Sequence, residues 1–297
     1  MKLEALLTEQ ANPASAKIDA VSTLEMMRII NEEDKKVALA VEAALPQIAA
    51  AVDAIVERME TGGRLFYTGA GTSGRLGVLD ASECPPTYSV SPELVQGFIA
   101  GGDRALRKAV EGAEDSRELG AQELLALGFS SGDVLCGIAA SGRTPYVLGA
   151  MEQARKMGAL TLAVSCSPGS LVSQAADLAI EVLPGPEVVT GSTRMKAGTA
   201  TKLVLNMLST GAMIRLGYVY GNLMVNVQPT NEKLVDRATR IVMQAVGVER
   251  VEAERLFAES GMVVRTAIVM GKLGIGKADA ELKLEIAKGR IHEALRR

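Results

Sequence analysis

Five short apolar runs, RLFYTGA (64–70), VQGFIA (95–100), VLCGIAA (134–140), LTLAVS (160–165) and LAIEVL (178–183), alternate with stretches of helical spacing at 73–84, 104–127, 145–157 and 170–176. Runs this apolar read as strands buried on both faces. Strands separated by helices read as βαβ units of a parallel sheet. The expected fold class is therefore α/β, and ligands of such open sheets bind outside the carboxyl ends of the strands. The loops expected there, 68–74, 101–103, 141–145 and 166–169, all carry Gly, Ser, Thr or Asp.

The flanking sequence is helical. Residues 22–60 read as two amphipathic helices closed by Gly62-Gly63, a long helix is expected over 194–216, and short amphipathic pieces follow from about Lys233. Three parts are expected: helices over 1–60 that pack on the core, a sheet domain over 61–225 and a small helical subdomain over 226–297.

Composition removes several function classes. With no Trp, 3% aromatics and a net charge of −3, neither a base-stacking platform nor a basic nucleic-acid surface is expected. The N-terminus lacks a secretory layout, and charged or Pro residues interrupt every long apolar stretch, so no membrane span is expected. Cys84, Cys136 and Cys166 stand apart without a CxxC, as buried thiols of a reduced cytoplasmic protein do. His292 is the single histidine, which leaves little material for a histidine-based metal site or a Ser-His-Asp triad. No metal and no cofactor are expected.

Three segments place small and hydroxyl residues ahead of a helix: GAGTSG at 69–74, ASGRT at 140–144 and TGSTRMKAGT at 190–199. A helix N-terminus exposes unpaired N–H groups and the positive end of the dipole, and glycine lets the backbone come close, so each suits an anion. Each taken singly could instead be no more than a helix cap, though three in one sheet argue against coincidence. GAGTSG also fits G-x-G-x-x-G, but no acid stands convincingly about twenty residues later at the end of a second strand, and no P-loop lysine follows.

The strand–GAGTSGRLG and strand–SGRTPYV pair resembles the sugar isomerase (SIS) domain. The longer strings DASECPPTY, AGGDRALRKAVEGAEDS and GSTRMKAGTATKLVLNML resemble the N-acetylmuramic acid 6-phosphate etherases, and the likeness runs along nearly the whole chain. The glucokinase regulatory protein shares the SIS pattern but is larger and not an enzyme. The resemblance implies a flavodoxin-like SIS sandwich, a phosphosugar substrate, a homodimer, a cytoplasmic location in cell-wall sugar recycling, and a lyase reaction that removes D-lactate. It implies Glu83 as proton donor and Glu114 as base. An aldose–ketose phosphosugar isomerase and a non-enzymatic sugar-phosphate sensor are the alternatives.

The residues bear unevenly on those two roles. Pro85 follows Cys84, so Glu83 is expected close to a helix C-terminus. Glu111, Glu114, Asp115 and Glu118 share a helical stripe by spacing alone, which reads as a solvated acidic face. For the anion, Thr72, Ser73, Ser141 and Thr144 are the expected donors, with Ser192 and Thr193 at the head of the long helix. Arg143, Arg75, Arg194 and Lys196 are the candidate cations, each of which could instead be a surface charge.

Overall fold

A computed structural model describes residues 7–229 and 231–296. The chain divides into two compact units: the first runs up to Ser82 and resumes over Pro92–Ser209, and the second comprises Glu83–Ser91 and the chain from Thr210 onwards.

The first unit begins with short 3₁₀ turns, then α1 (Thr23–Ala43) and α2 (Leu45–Glu60). Ser22 caps α1 by accepting the Glu25 N–H. Val37, Val41, Ile48, Ala51 and Ile55 form the buried stripes of the two helices. Among the described residues no single helix is long and apolar enough to cross a membrane.

Five strands follow: β1 (Leu65–Gly69), β2 (Val95–Ile99), β3 (Val134–Ile138), β4 (Leu160–Ser165) and β5 (Leu178–Glu181). They pair in the order β2-β1-β3-β4-β5, every pair parallel. This is the flavodoxin-like arrangement, with the order reversing at β1/β3. Every residue of β1 and β3 is buried, as central strands covered on both faces must be. The connecting helices are α3 (Gly71–Tyr88), α4 (Arg104–Arg107), α5 (Arg117–Ala126), α6 (Pro145–Lys156) and α7 (Leu171–Ala175), and α8 (Lys196–Arg215) follows the sheet. α5 and α6 touch backbone to backbone. A Cβ on Gly149 would lie 2.0 Å from the Arg117 carbonyl oxygen, and one on Gly120 would lie 2.0 Å from that of Tyr146.

Two expected helices differ. The stretch expected as one helix, 104–127, is a single turn, α4, then a loop, a 3₁₀ turn at Ala113–Asp115, and α5. Lys108 leaves helical geometry, Gly112 adopts φ +76°, and Ser116 caps a new helix by accepting the Leu119 N–H. Apolar spacing carries across these breaks, but the local caps decide. Conversely, Pro85 and Pro86 do not stop α3, which continues to Tyr88. The prolines lose two N–H donors, yet the Ser89 N–H still reaches the Pro85 carbonyl at 2.8 Å. The buried Tyr88 ring holds the extra turn, with its hydroxyl 3.3 Å from Thr210 Oγ1 and its ring packed edge-on with Tyr218.

The second unit carries a two-residue hairpin, β6 (Val219–Tyr220) with β7 (Leu223–Met224). Helices α9 (Glu232–Val246), α10 (Arg250–Glu259), α11 (Val264–Leu273), α12 (Lys277–Ile286) and α13 (Ile291–Ala294) follow. They share a core that includes Val242, Phe257, Ile268 and Ile291. His292 is exposed, and its ring lies against that of Tyr220, with centroids 4.8 Å apart.

Candidate active site

At the carboxyl end of β1 the chain turns directly into α3. A Cβ on Gly69 would meet Gly74 N at 2.6 Å, and one on Gly74 would meet the Gly69 carbonyl oxygen at 2.6 Å. Only two glycines allow this crossing, and it sets the first turn of α3, with half-buried Thr72 and Ser73, at the sheet edge. Arg75 follows one residue after Gly74. Its guanidinium donates to the Leu106 and Ala105 carbonyl oxygens (3.1 and 2.7 Å), so it ties α4 to this corner.

A cavity of about 200 Å³ opens here, and its lining includes Gly71, Arg75, Ala100, Ala105, Val110 and Glu114. A second, of about 290 Å³, is lined by Glu9, Glu114, Asp115, Ser141, Arg143, Thr144 and Pro145. Glu114 faces both. The break in the expected helix produces this: on the 3₁₀ turn Glu114 and Asp115 look onto the β3–α6 loop, and no acidic helical stripe forms. Glu114 is exposed, and among the described residues no hydrogen bond or ion pair engages its carboxylate.

The β3–α6 loop is rigidly seated. Gly142 sits at φ +69°, where a Cβ would lie 2.1 Å from Ser170 Cβ, and its carbonyl accepts the Val172 N–H. The Ala140 carbonyl accepts the Cys166 N–H and the Ser167 hydroxyl. Thr144 is the N-cap residue of α6, but its side chain caps nothing. Ser116 and Ser170, by contrast, cap α5 and α7 with their own hydroxyls. The cap interpretation therefore fails at Thr144, whose hydroxyl is left to the cavity together with Ser141. Arg143 adds a buried Nη1 with no hydrogen-bond partner among the described residues.

The third loop behaves differently. The Glu187 carboxylate accepts the N–H groups of Lys196 and Ala197, each at 2.9 Å, and so closes the head of α8. Ser192 and Thr193 lie in the turn before it, where the Thr193 N–H donates to the Gly191 carbonyl. Thr72 comes close to this segment: its methyl lies 3.5 Å from where a Cβ on Gly198 would be, as does the Thr193 carbonyl oxygen. Arg194 is exposed.

Lys196, a candidate substrate cation by sequence, is an internal ion-pair partner. It is 1% exposed and donates to Glu33 Oε2 at 2.6 Å. Burial opposes ionisation of Glu33, but hydrogen bonds from Lys196, Lys36 and Asn12 outweigh it and hold its pKa down at about 2. Asn12 also donates to the Pro186 carbonyl, and Ser15 to that of Val188. These bonds dock the N-terminal segment on the loop before α8, and Glu9, which no sequence pattern singles out, reaches the second cavity.

Glu83 lies on the part of α3 that groups with the second unit. It is exposed, because Ala81, Cys84 and Tyr88 form the buried stripe and Glu83 falls off it. With α3 continuing to Tyr88, it also stands a full turn before the helix end. The three cysteines are buried thiols, as expected; burial pushes the Cys136 thiol up strongly and that of Cys166 up to about 12.

The profile described as the glucokinase regulatory protein N-terminal SIS domain matches residues 47–155, and that of the SIS domain matches residues 121–211. The chain is 59% identical over 98% of its length to the N-acetylmuramic acid 6-phosphate etherase of Aeromonas hydrophila, with 98% of that protein covered. It is 58% identical over 99% of its length to the etherase of Photorhabdus laumondii, again with 98% covered. The chain belongs to the N-acetylmuramic acid 6-phosphate etherase family. Among solved structures, the phosphoheptose isomerase of Neisseria gonorrhoeae superposes with a TM-score of 0.51 at 18% identity, covering 64% of this chain and 97% of that one. At that identity the likeness concerns the fold alone.

Proposed function

We propose that this chain is an N-acetylmuramic acid 6-phosphate etherase: a carbon–oxygen lyase that releases D-lactate from C3 of the sugar and leaves N-acetylglucosamine 6-phosphate. The observation that carries the reading is the near-full-length identity to etherases, joined to a Glu114 that faces two cavities at the carboxyl edge of the sheet.

In the open-chain sugar the C1 aldehyde acidifies the C2 proton. Glu114 takes that proton, and Glu83 gives one to the departing lactate oxygen as the C3–O bond breaks. Water then adds to C3 of the unsaturated aldehyde, its proton returns to C2, and net hydrolysis of the ether results. Thr72, Ser73, Ser141 and Thr144 donate to the 6-phosphate, with Arg143 balancing its charge and Ser192 and Thr193 closing the same edge. The reading includes a homodimer that acts in the cytoplasm on recycled wall sugar.

Incubation with N-acetylmuramic acid 6-phosphate in oxygen-18 water tests it. Stoichiometric lactate with label at sugar C3 is expected. Turnover without lactate would favour the phosphosugar isomerase, and binding without turnover the sensor.

A further inference from the structure

We infer that Glu9 is a substrate-recognition residue: its carboxylate accepts a hydrogen bond from a hydroxyl of the bound sugar. The inference rests on the etherase reading for the sugar's identity.

Glu9 shares the 290 Å³ cavity with Glu114, Ser141, Arg143 and Thr144. It is half-buried, and among the described residues no hydrogen bond or ion pair engages it. Its place is nevertheless fixed. The Gly191 N–H donates to the Thr8 carbonyl at 3.2 Å, the 3₁₀ turn Pro13–Ser15 is capped by Asn12, and Asn12 is bonded to buried Glu33. The Glu9 carboxylate lies so close over Gly191, at φ +78°, that a Cβ there would stand 3.3 Å from Oε2. Glu9 thus links the β3–α6 loop with the turn that carries Ser192 and Thr193.

The charges decide what it can bind. The cavity lining holds three carboxylates, Glu9, Glu114 and Asp115, and one guanidinium, Arg143. A phosphate placed against Glu9 would meet like charge. A neutral donor meets a strong acceptor, since hydrogen bonds to charged groups exceed those between neutral ones. The substrate's hydroxyls are such donors, and they lie within a few bonds of the carbon that Glu114 serves.

The test compares wild type with Glu9→Gln and Glu9→Asp. Calorimetry gives the affinities for N-acetylglucosamine 6-phosphate and for inorganic phosphate, and lactate release gives kcat and KM. With Glu9→Gln, about tenfold weaker sugar binding and a matching rise in KM are expected, with kcat within about twofold and inorganic phosphate unaffected. Glu9→Asp, which keeps the charge on a shorter arm, is expected to fall between. Equal sugar affinity in all three proteins would overturn the inference. So would an equal loss for inorganic phosphate, which would mark Glu9 as a support for the loop alone. A wild type that releases no lactate refutes the etherase activity, and the sugar-affinity comparison still decides Glu9.

Discussion

Replacing Lys196 with Met is expected to destabilise the first unit by about 3 kcal/mol. Lys196 and Glu33 are 1% and 3% exposed and 2.6 Å apart. Removing one partner of such a pair leaves a buried charge uncompensated, which costs about 3–5 kcal/mol. The lower end applies here because Asn12 and the exposed Lys36 still reach Glu33. The depression of the Glu33 pKa to about 2 from an ordinary 4.5 is the joint effect of Lys196, Lys36 and Asn12, and at roughly 1.4 kcal/mol per unit it bounds their combined contribution at about 3 kcal/mol. Because the folded-state value is depressed, this stabilisation is fully present above about pH 4.5 and fades as pH falls toward 2. The gap between wild type and Lys196→Met should therefore narrow across that window. Thermal unfolding followed by circular dichroism should show a Tm lower by about 10 °C at neutral pH. The double change Glu33→Met/Lys196→Met should recover most of the loss, because two apolar groups need no pairing. A single variant that loses under about 1 kcal/mol, or a gap that does not change with pH, would refute this reasoning.

Glu114→Gln should lower kcat for lactate release by about 10²–10⁴-fold and abolish exchange of the sugar C2 proton with solvent; exchange at the wild-type rate would contradict its role as base. Gly142→Ala places a Cβ 2.1 Å from Ser170 Cβ at a positive φ, so KM for the sugar phosphate should rise together with a stability loss of about 1–3 kcal/mol in urea titration. Gly149→Ala, whose Cβ would sit 2.0 Å from the Arg117 carbonyl oxygen, should separate α5 from α6 at a similar cost and also disturb the neighbouring Glu114 turn. A thiol reagent at mildly alkaline pH should find no reactive cysteine in the native protein and all of Cys84, Cys136 and Cys166 after unfolding, since each is buried.

The sheet was legible because buried parallel strands carry their signature locally: a run such as VLCGIAA at 134–140 is apolar end to end whatever lies elsewhere. The position of Glu114 was not, because helical spacing continues across Lys108 and Gly112 while a cap at Ser116 and a positive φ at Gly112 break the chain. Pro85 and Pro86 point in the wrong direction, since the packing of Tyr88 that carries α3 past them is a tertiary effect. Lys196 looks like a ligand for the substrate because its partner Glu33 is 163 residues away, and so distant a pairing leaves no periodic trace. Glu9 escapes notice for the same reason: its neighbours Gly191 and Ser141 belong to remote loops.

The carboxylate of Glu187 at the head of α8 bears on selectivity. A chain with three similar glycine- and hydroxyl-rich turns invites a phosphate to settle in any of them. By seating its own acid on the N-terminus of α8, the protein occupies those two N–H groups, and under the proposed mechanism the phosphate falls to the turns beside Glu114, with Ser192 and Thr193 offering hydroxyls rather than helix amides.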